Sequence, residues 1–337
     1  MLGGIPSLFK PESHGGTDIR RRTFESGFMT LALFPFAQRF FPKLIKAREL
    51  LASAFIDYFR KDGHKTASAL VRDRYEHHYV QFGLSIEDIG HGEIGNTFAV
   101  LGTSAPNAFC FLYHIFSDQQ VLADVRCETS ALVVQGSNDS DGSGLVCSVD
   151  LGDVRTSCPV LMSTFQETLR YRAFNPGSRV LLEDVRLDSG RIVLIKGAML
   201  MMPSSVQHTS IAAWGDDVHE FDHLRFTRKD TGPGSKRPNR TAFRAFGGGH
   251  VLCPGRHFAS SEIMALGALV ALQFDMMPAA GKWVEPAYRT PIQGGLPMPL
   301  KDIDVELRPR NPGTEWRVTF SESNKGMGIV SEDAGAE

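Results

Sequence analysis

Apolar residues recur at helical spacing through much of the first half of the chain. Over 42–60, Leu44, Ala47, Leu51, Ala54, Phe55 and Tyr58 fall on one face, while Lys43, Arg48 and Arg60 fall elsewhere. That pattern predicts an amphipathic helix, with Gly63 placed as the residue that ends it. A second helix is predicted over 66–82, closed by Gly83. Ser85, with Asp88 three residues on, reads as a variant capping box. It opens a long apolar helix over 86–116, interrupted by Pro106. Further helices are predicted over 118–134, 158–170 and 258–274.

Alternation replaces helical spacing over 180–200, where Asp188-Ser-Gly190 and Lys196-Gly197 supply turns, so short strands are predicted there. Late strands are predicted at 303–307 and 316–320, joined by the turn Asn311-Pro-Gly313. The segment 135–144 is read as a polar loop, and 203–250 carries many turn residues and little periodicity. Residues 1–27 read as loop and include the basic cluster Arg20-Arg21-Arg22. The apolar patch 28–41 is broken by Pro35 and carries Phe34, Phe36, Phe40 and Phe41. Core packing is the common use of such a patch; peripheral membrane contact and the roof of a ligand pocket are the alternatives. No internal repeat is seen. The fold class is mainly α with small β-sheets.

The chain has 337 residues, enough for one large domain or two to three ordinary ones. A hydrophobic fraction of 42% and a charged fraction of 22% are globular values. The net charge of −2 offers no basic field, which argues against a nucleic-acid partner. Cys110, Cys127, Cys147, Cys158 and Cys253 are scattered, with neither zinc spacing nor a dense disulfide framework. A reducing, intracellular compartment is therefore expected. No run of about eighteen apolar residues predicts a transmembrane segment. The start, Met1-Leu-Gly-Gly-Ile-Pro6, lacks the features of a signal peptide.

The most informative segment is Phe246-Gly-Gly-Gly-His-Val-Leu-Cys-Pro-Gly-Arg-His-Phe-Ala259. It holds Cys253 between a glycine run and an apolar helix. Backbone N–H groups and a helix N-terminus both favour negative charge on sulfur. Gly247, Gly248 and Gly249 lack Cβ, so the backbone can lie flat against a large planar group. A lone thiolate in such a place suits a metal with one protein ligand, and heme iron fits. A buried structural cysteine and a redox-sensing thiol are the alternatives.

The order Phe246, Gly249, Cys253, Gly255, Ala259 resembles the heme-binding signature of the cytochrome P-450 family. Glu167-Thr-Leu-Arg170 resembles that family's E-x-x-R pair, and Phe221-Asp-His-Leu-Arg225-Phe226 its P-E-R-F stretch, with His223 and Leu224 replacing the proline and glutamate. The resemblance implies a cytochrome P-450-like fold, incomplete at the N-terminus, as a single partial domain over 1–337. Residues 1–40 would be a loop-rich start, 42–134 the channel-capping and distal helices, and 158–337 the E-x-x-R helix, the small sheets, the Cys loop and the proximal helix.

It also implies heme b with Cys253 as axial ligand. Glu167, Arg170 and Arg225 would form a buried cluster bracing the Cys loop. Arg179 would meet a heme propionate, with His250 or Arg256 sharing the role of a basic residue that is Val251 here. Phe174, Asn175 and Pro176 would face substrate. Gly102-Thr103-Ser104-Ala105-Pro106 carries no acid and resembles the steroid 7α-hydroxylase and prostacyclin-synthase branch, with Thr103 and Ser104 holding water near the ligand. The alternative for both hydroxyls is a bond back to the carbonyl one turn earlier.

The implied activity is heme-thiolate monooxygenation of a small apolar molecule, a steroid, terpenoid or secondary metabolite. NADPH electrons would come through a reductase docking on the cysteine side. A reductase-independent heme isomerase or dehydratase and a non-catalytic remnant are the alternatives. Family members often sit on the endoplasmic reticulum membrane. The resemblance begins near residue 40, so the membrane anchor, the first strands of the main sheet and part of the propionate site are expected to be missing, and heme is expected to bind weakly.

Overall fold

The computed structural model describes residues 37–137, 145–227, 240–289, 297–321, 328–330 and 333. The predicted loop at 1–27, the apolar patch up to residue 36 and the polar residues 138–144 lie outside them. The chain divides into two compact units, Met1–Thr103 and Ser104–Glu337.

In the first unit, helix α1 (Pro42–Arg60) opens on a proline whose missing N–H would be unpaired in any case. Its buried side chains are Ala47, Ala52, Phe55 and Phe59. Ala47 and Phe55 lie on the expected face, whose other members, Leu44, Leu51, Ala54 and Tyr58, are half-buried; Ala52 and Phe59 widen it, and the Phe59 ring stacks with His64 and Tyr75. The helix end also differs from expectation. Asp62, not Gly63, takes the left-handed conformation (φ 58°). Gly63 is small for another reason: a Cβ there would lie 2.3 Å from the Tyr58 ring.

The single helix expected at 66–82 is broken into a 3-10 turn (Gly63–Thr66), a short helix α2 (Ala69–Asp73) and a π-helix (Arg74–Val80). The wide π turn brings two side chains to one buried carboxylate. Arg74 donates to Glu93 at 2.9 and 2.6 Å, and the Tyr79 hydroxyl donates to the same group. Gly83 closes this stretch with φ 63°. Helix α3 (Ile86–Ser117) begins on Ser85, whose Oγ accepts from the Asp88 N–H at 3.1 Å and donates to the Asp88 carboxylate at 2.6 Å. Pro106 sits inside a helix that continues past it.

The second unit is built on the C-terminal part of α3 and helices α4 (Gln119–Ser130), α5 (Leu151–Ser157), α6 (Pro159–Arg172) and, after the Cys segment, α8 (Arg256–Gln273). Asp118 caps α4 by accepting from the Gln120 and Val121 N–H groups. Glu128 of α4 reaches across to accept from Val160 and Leu161 at 2.8 and 2.9 Å, satisfying orphan donors at the start of α6. Helix α6 is buried almost all round, and Phe111, Ile115, Leu161, Phe165, Ile263, Met264 and Ala268 share one core with it.

The loop expected from residue 135 is a strand as far as it is described. β1 (Val134–Ser137) pairs antiparallel with β2 (Leu145–Asp150), a strand absent from the sequence reading. Short, half-buried pairing of this kind leaves no alternation long enough to read. The turn-rich 180–200 region forms β3 (Pro176–Val180), β4 (Val185–Leu187), β5 (Ile192–Leu194) and β6 (Met199–Pro203), followed by α7 (Ser204–His208). β3 pairs with β6, and β4 with β5. The two late strands do not pair with each other. β12 (Val305–Pro309) joins β9 (Phe274–Pro278), and β13 (Glu315–Thr319) runs parallel to β2.

Helix α8 packs on α3 through a glycine. A Cβ on Gly267 would lie 2.4 Å from the ring of fully buried Phe111. Gly267→Val is therefore expected to cost about 2 kcal/mol, the size of an overpacking penalty. Gly92→Ala, at an exposed helical site where a Cβ meets open space, is expected to gain up to about 1 kcal/mol. Denaturant midpoints of the two variants check both signs.

Candidate functional site

The Cys segment folds as a minimal antiparallel hairpin. β7 (Gly247–Gly248) pairs with β8 (Val251–Leu252), and Gly249 and His250 connect them. Each glycine has its own reason. Gly247 (φ 85°) and Gly249 (φ 63°) lie in the left-handed region that strains other residues. A Cβ on Gly247 would also lie 2.8 Å from the Val251 carbonyl oxygen, and one on Gly248 would lie 2.0 Å from the Arg244 guanidinium. The hairpin closes where the Cys253 N–H donates to the Phe246 carbonyl at 2.9 Å. Cys253 itself is a free, exposed thiol. Gly255 follows without a Cβ, which would sit 4.0 Å from Sγ, and caps α8, its carbonyl accepting from Ala259 at 2.9 Å.

Behind the hairpin lies a buried charge cluster. Glu167 and Arg170, one turn apart on α6, make a two-pronged pair: Nε to Oε2 and Nη2 to Oε1, both 2.7 Å. Arg225 Nε reaches the same Oε1 at 3.1 Å, as does the Asp222 N–H. The three side chains are 0–1% exposed. The remaining guanidinium donors collect carbonyls from the end of α7 and the turn-rich stretch after it: Arg170 those of His208, Val218 and Glu220, and Arg225 those of Trp214, Asp217 and Glu220. Burial alone would pull the Arg225 pKa down; the Glu167 charge and the Asp217 carboxylate hold it above its ordinary value instead.

The other expected residues are placed as follows. Phe246 is half-buried. Arg179 lies on β3 opposite Leu200, and its guanidinium donates to the Ser178 carbonyl at 2.8 Å. His250 is exposed. Arg256 is committed elsewhere: it pairs with Asp333 at 2.8 Å and donates to the Cys253 carbonyl at 3.3 Å. Phe174 is half-buried, and Pro176 opens β3 opposite Pro203. Asn175, expected to face substrate, donates from Nδ2 to the Ala245 carbonyl at 2.7 Å. Thr103 donates to the Ala99 carbonyl at 2.6 Å, one turn back, so its hydroxyl is used within its own helix. Ser104 is half-buried.

Three residues escape the sequence reading. His208 is buried between two segments, with Nε2 accepting from the Arg244 N–H at 2.9 Å and Nδ1 facing the Ala173 carbonyl at 3.3 Å. His114 stacks face to face on Phe221, ring centroids 3.8 Å apart. Buried Asn107 leaves Oδ1 without a partner among the described residues. Only Asn107 has a local signal: it is one turn on from Thr103 on the same helix face.

The cysteine side of the site is open to a planar group. The sulfur is free and exposed, the glycine hairpin keeps Cβ atoms away, and the Arg179 guanidinium bonds a carbonyl, that of Ser178.

Removing one partner from the buried cluster strands a charge. Glu167→Gln is expected to destabilise the fold by about 3–5 kcal/mol, read by chemical denaturation. Acid adds a second test. Burial first, then the Arg172 charge, holds His114 down to about 3, and burial with a smaller contribution from Arg170 holds His208 down to about 4. Both rings stay neutral in the fold, whereas the unfolded chain takes up protons below the ordinary value of 6.5. Stability is therefore complete above pH 6.5 and falls as pH drops from there toward 4, by up to about 1.4 kcal/mol per pH unit for each ring. His114→Phe keeps the stack and is expected to flatten that slope in melts between pH 7 and pH 4.5 (~0.5-unit steps suffice).

Comparison with known proteins agrees with the geometry. The profile of the Cytochrome P450 family matches residues 29–307. Cytochrome P450 monooxygenase nodJ of Hypoxylon pulicicidum is 34% identical over 289 residues, 83% of this chain and 56% of that protein. A cytochrome P450 monooxygenase of Gibberella zeae is 28% identical over 267 residues, 77% of this chain and 50% of that protein. Cytochrome P450 714D1 of Oryza sativa subsp. japonica is 36% identical over 149 residues, 44% of this chain. The chain spans about half the length of the two fungal relatives. With Cys253 on its glycine hairpin and the Glu167–Arg170–Arg225 cluster behind it, the chain belongs to the cytochrome P450 family.

Proposed function

We propose that this chain forms the cysteine-bearing part of a heme-thiolate monooxygenase acting on a small apolar molecule. The observation that carries the reading is a free, exposed sulfur on a hairpin that only glycines can make, backed by a fully buried ion cluster. Heme b would be held by Cys253 Sγ, with Arg179 and His250 on the side of its propionates. When bound, it supplies activation of dioxygen, and a thiolate ligand favours O–O cleavage. The chain's own residues keep the sulfur in place and leave an apolar surface, Val251 and Phe258 among it, for the porphyrin. On α3, Ser104 and the Oδ1 of Asn107, which has no partner among the described residues, would hold water and pass a proton, while the Thr103 hydroxyl stays bonded to its own helix.

Electrons would come from NADPH through a reductase. The names of the two fungal relatives, both monooxygenases, support this class, and a secondary metabolite is the substrate class we favour. Among the described residues no helix is long and apolar enough to cross a membrane. A second reading rests on one feature: no carboxylate stands beside Thr103 on α3. A heme that rearranges or dehydrates an oxygenated substrate needs no reductase and no such acid. Turnover that requires NADPH selects the first reading.

The hemin-loaded chain, reduced under carbon monoxide, is expected to show a sulfur-ligated Soret band that Cys253→Ser abolishes. Identical spectra from the two proteins would overturn the ligand assignment.

A further inference from the structure

Three consecutive residues lead into the Cys hairpin, and each is held by a different group. The Arg244 N–H donates to His208 Nε2 at 2.9 Å. The Ala245 carbonyl accepts from Asn175 Nδ2 at 2.7 Å. The Phe246 carbonyl accepts from the Cys253 N–H at 2.9 Å. Between the first and last of these, Gly247 N–H donates to the Arg244 carbonyl at 3.1 Å and folds the segment into β7. A shift at residue 244 or 245 is therefore passed to residue 246 and to the cysteine peptide it holds.

His208 is itself fixed at three points. Its carbonyl accepts from Arg170 Nη1 at 2.9 Å, its ring stacks near Phe243 at 5.7 Å, and Nδ1 faces the Ala173 carbonyl. Because a carbonyl can only accept, Nδ1 carries the proton, which leaves Nε2 as the acceptor that Arg244 needs. Asn175 is likewise anchored, its carbonyl accepting from the Ser204 N–H at 2.9 Å. Hydrogen bonds thus run from Glu167 through Arg170 and His208 to Arg244, and the backbone of 244–246 carries the connection on to the Phe246 carbonyl, which accepts from the Cys253 N–H.

We propose that His208 and Asn175 are positioning residues that set the Cys253 peptide relative to the Glu167–Arg170–Arg225 cluster. The inference rests on the heme-thiolate reading for its purpose, while the clamp itself is a property of the polypeptide. His208 acts as a two-ended spacer, one nitrogen donating and the other accepting. Asn175 belongs to the cysteine side of the site, not to a substrate pocket.

The test uses the full chain with His208→Phe, His208→Gln and Asn175→Leu. Phenylalanine keeps the stack on Phe243 but neither hydrogen bond; glutamine offers one donor and one acceptor. In the heme-free chain, amide hydrogen exchange at Arg244 and Cys253 is expected to speed up at least about tenfold in His208→Phe and to recover in His208→Gln. Asn175→Leu, which spares His208, is expected to loosen Cys253 in the same assay and serves should His208→Phe fail to fold. After hemin loading, the sulfur-ligated fraction in the reduced carbon monoxide spectrum is expected to fall in His208→Phe and Asn175→Leu and to be restored in His208→Gln. Unchanged exchange in His208→Phe and Asn175→Leu, or phenylalanine and glutamine variants that behave alike, would overturn the proposal. Loss of sulfur ligation in the unsubstituted chain would instead count against the heme-thiolate reading, and the exchange data would still decide the clamp.

Discussion

Glu167 carries one carboxylate between two guanidinium groups, and none of the three side chains meets solvent. Such a site is tolerable only when every donor and acceptor is used, because each ion has given up its hydration. The chain meets that demand with backbone. The spare guanidinium donors take carbonyls at 208, 214, 217, 218 and 220, in a stretch with little regular secondary structure. The need for saturation thus works in both directions. The irregular segment satisfies the charges, and the charges give the irregular segment one conformation. A well-packed apolar cluster would match the stability, but it would not dictate where each carbonyl points.

The hairpin that presents Cys253 obeys a different constraint, that of backbone approach. A two-residue ladder contributes little stability by itself. It survives because Gly247 and Gly249 take left-handed dihedrals without strain and because the segment ahead of it is held from outside. On the far side, Arg256 bonds the Cys253 carbonyl while Asp333 neutralises its charge. Burial raises the Asp333 pKa, but the Arg256 bond and the Val330 N–H outweigh it, so the carboxyl stays below its usual value and remains a counterion.

Legibility in the sequence followed the range of the interactions. The long helices were readable because a helix reports its own face every three to four residues, and their caps at Ser85 and Asp118 are local. The E-x-x-R spacing and the Cys segment were readable for the same reason. The π-helix at Arg74–Val80 was not, since it depends on Glu93, far along the chain. Strands β1 and β2 were hidden because their third partner, β13, lies more than a hundred residues downstream (Val149 opposite Val318). Asn175 was read by its order in the chain as a pocket residue, yet its amide finds Ala245, and no pattern within either segment announces that pairing. His208 is invisible for the same reason: its two ring partners come from residues 173 and 244.

Those long-range pairs also explain why the sulfur can be both exposed and well placed. A cysteine has one side-chain torsion, so the direction of Sγ is set almost entirely by its own peptide plane and the two neighbouring it. Among the described residues no side chain bonds Sγ; the Cys253 N–H and carbonyl are held instead, by Phe246 and Arg256. Holding the peptide and leaving the sulfur untouched is what the proposed metal-ligand role of Cys253 requires. The same arrangement requires rigidity upstream, since any slack at residues 244–246 becomes an angular error at Sγ. A buried histidine in a single tautomer and an anchored asparagine are well suited to that task. Both are short, both use one end for anchoring and the other for the loop, and neither brings a charge to the cysteine.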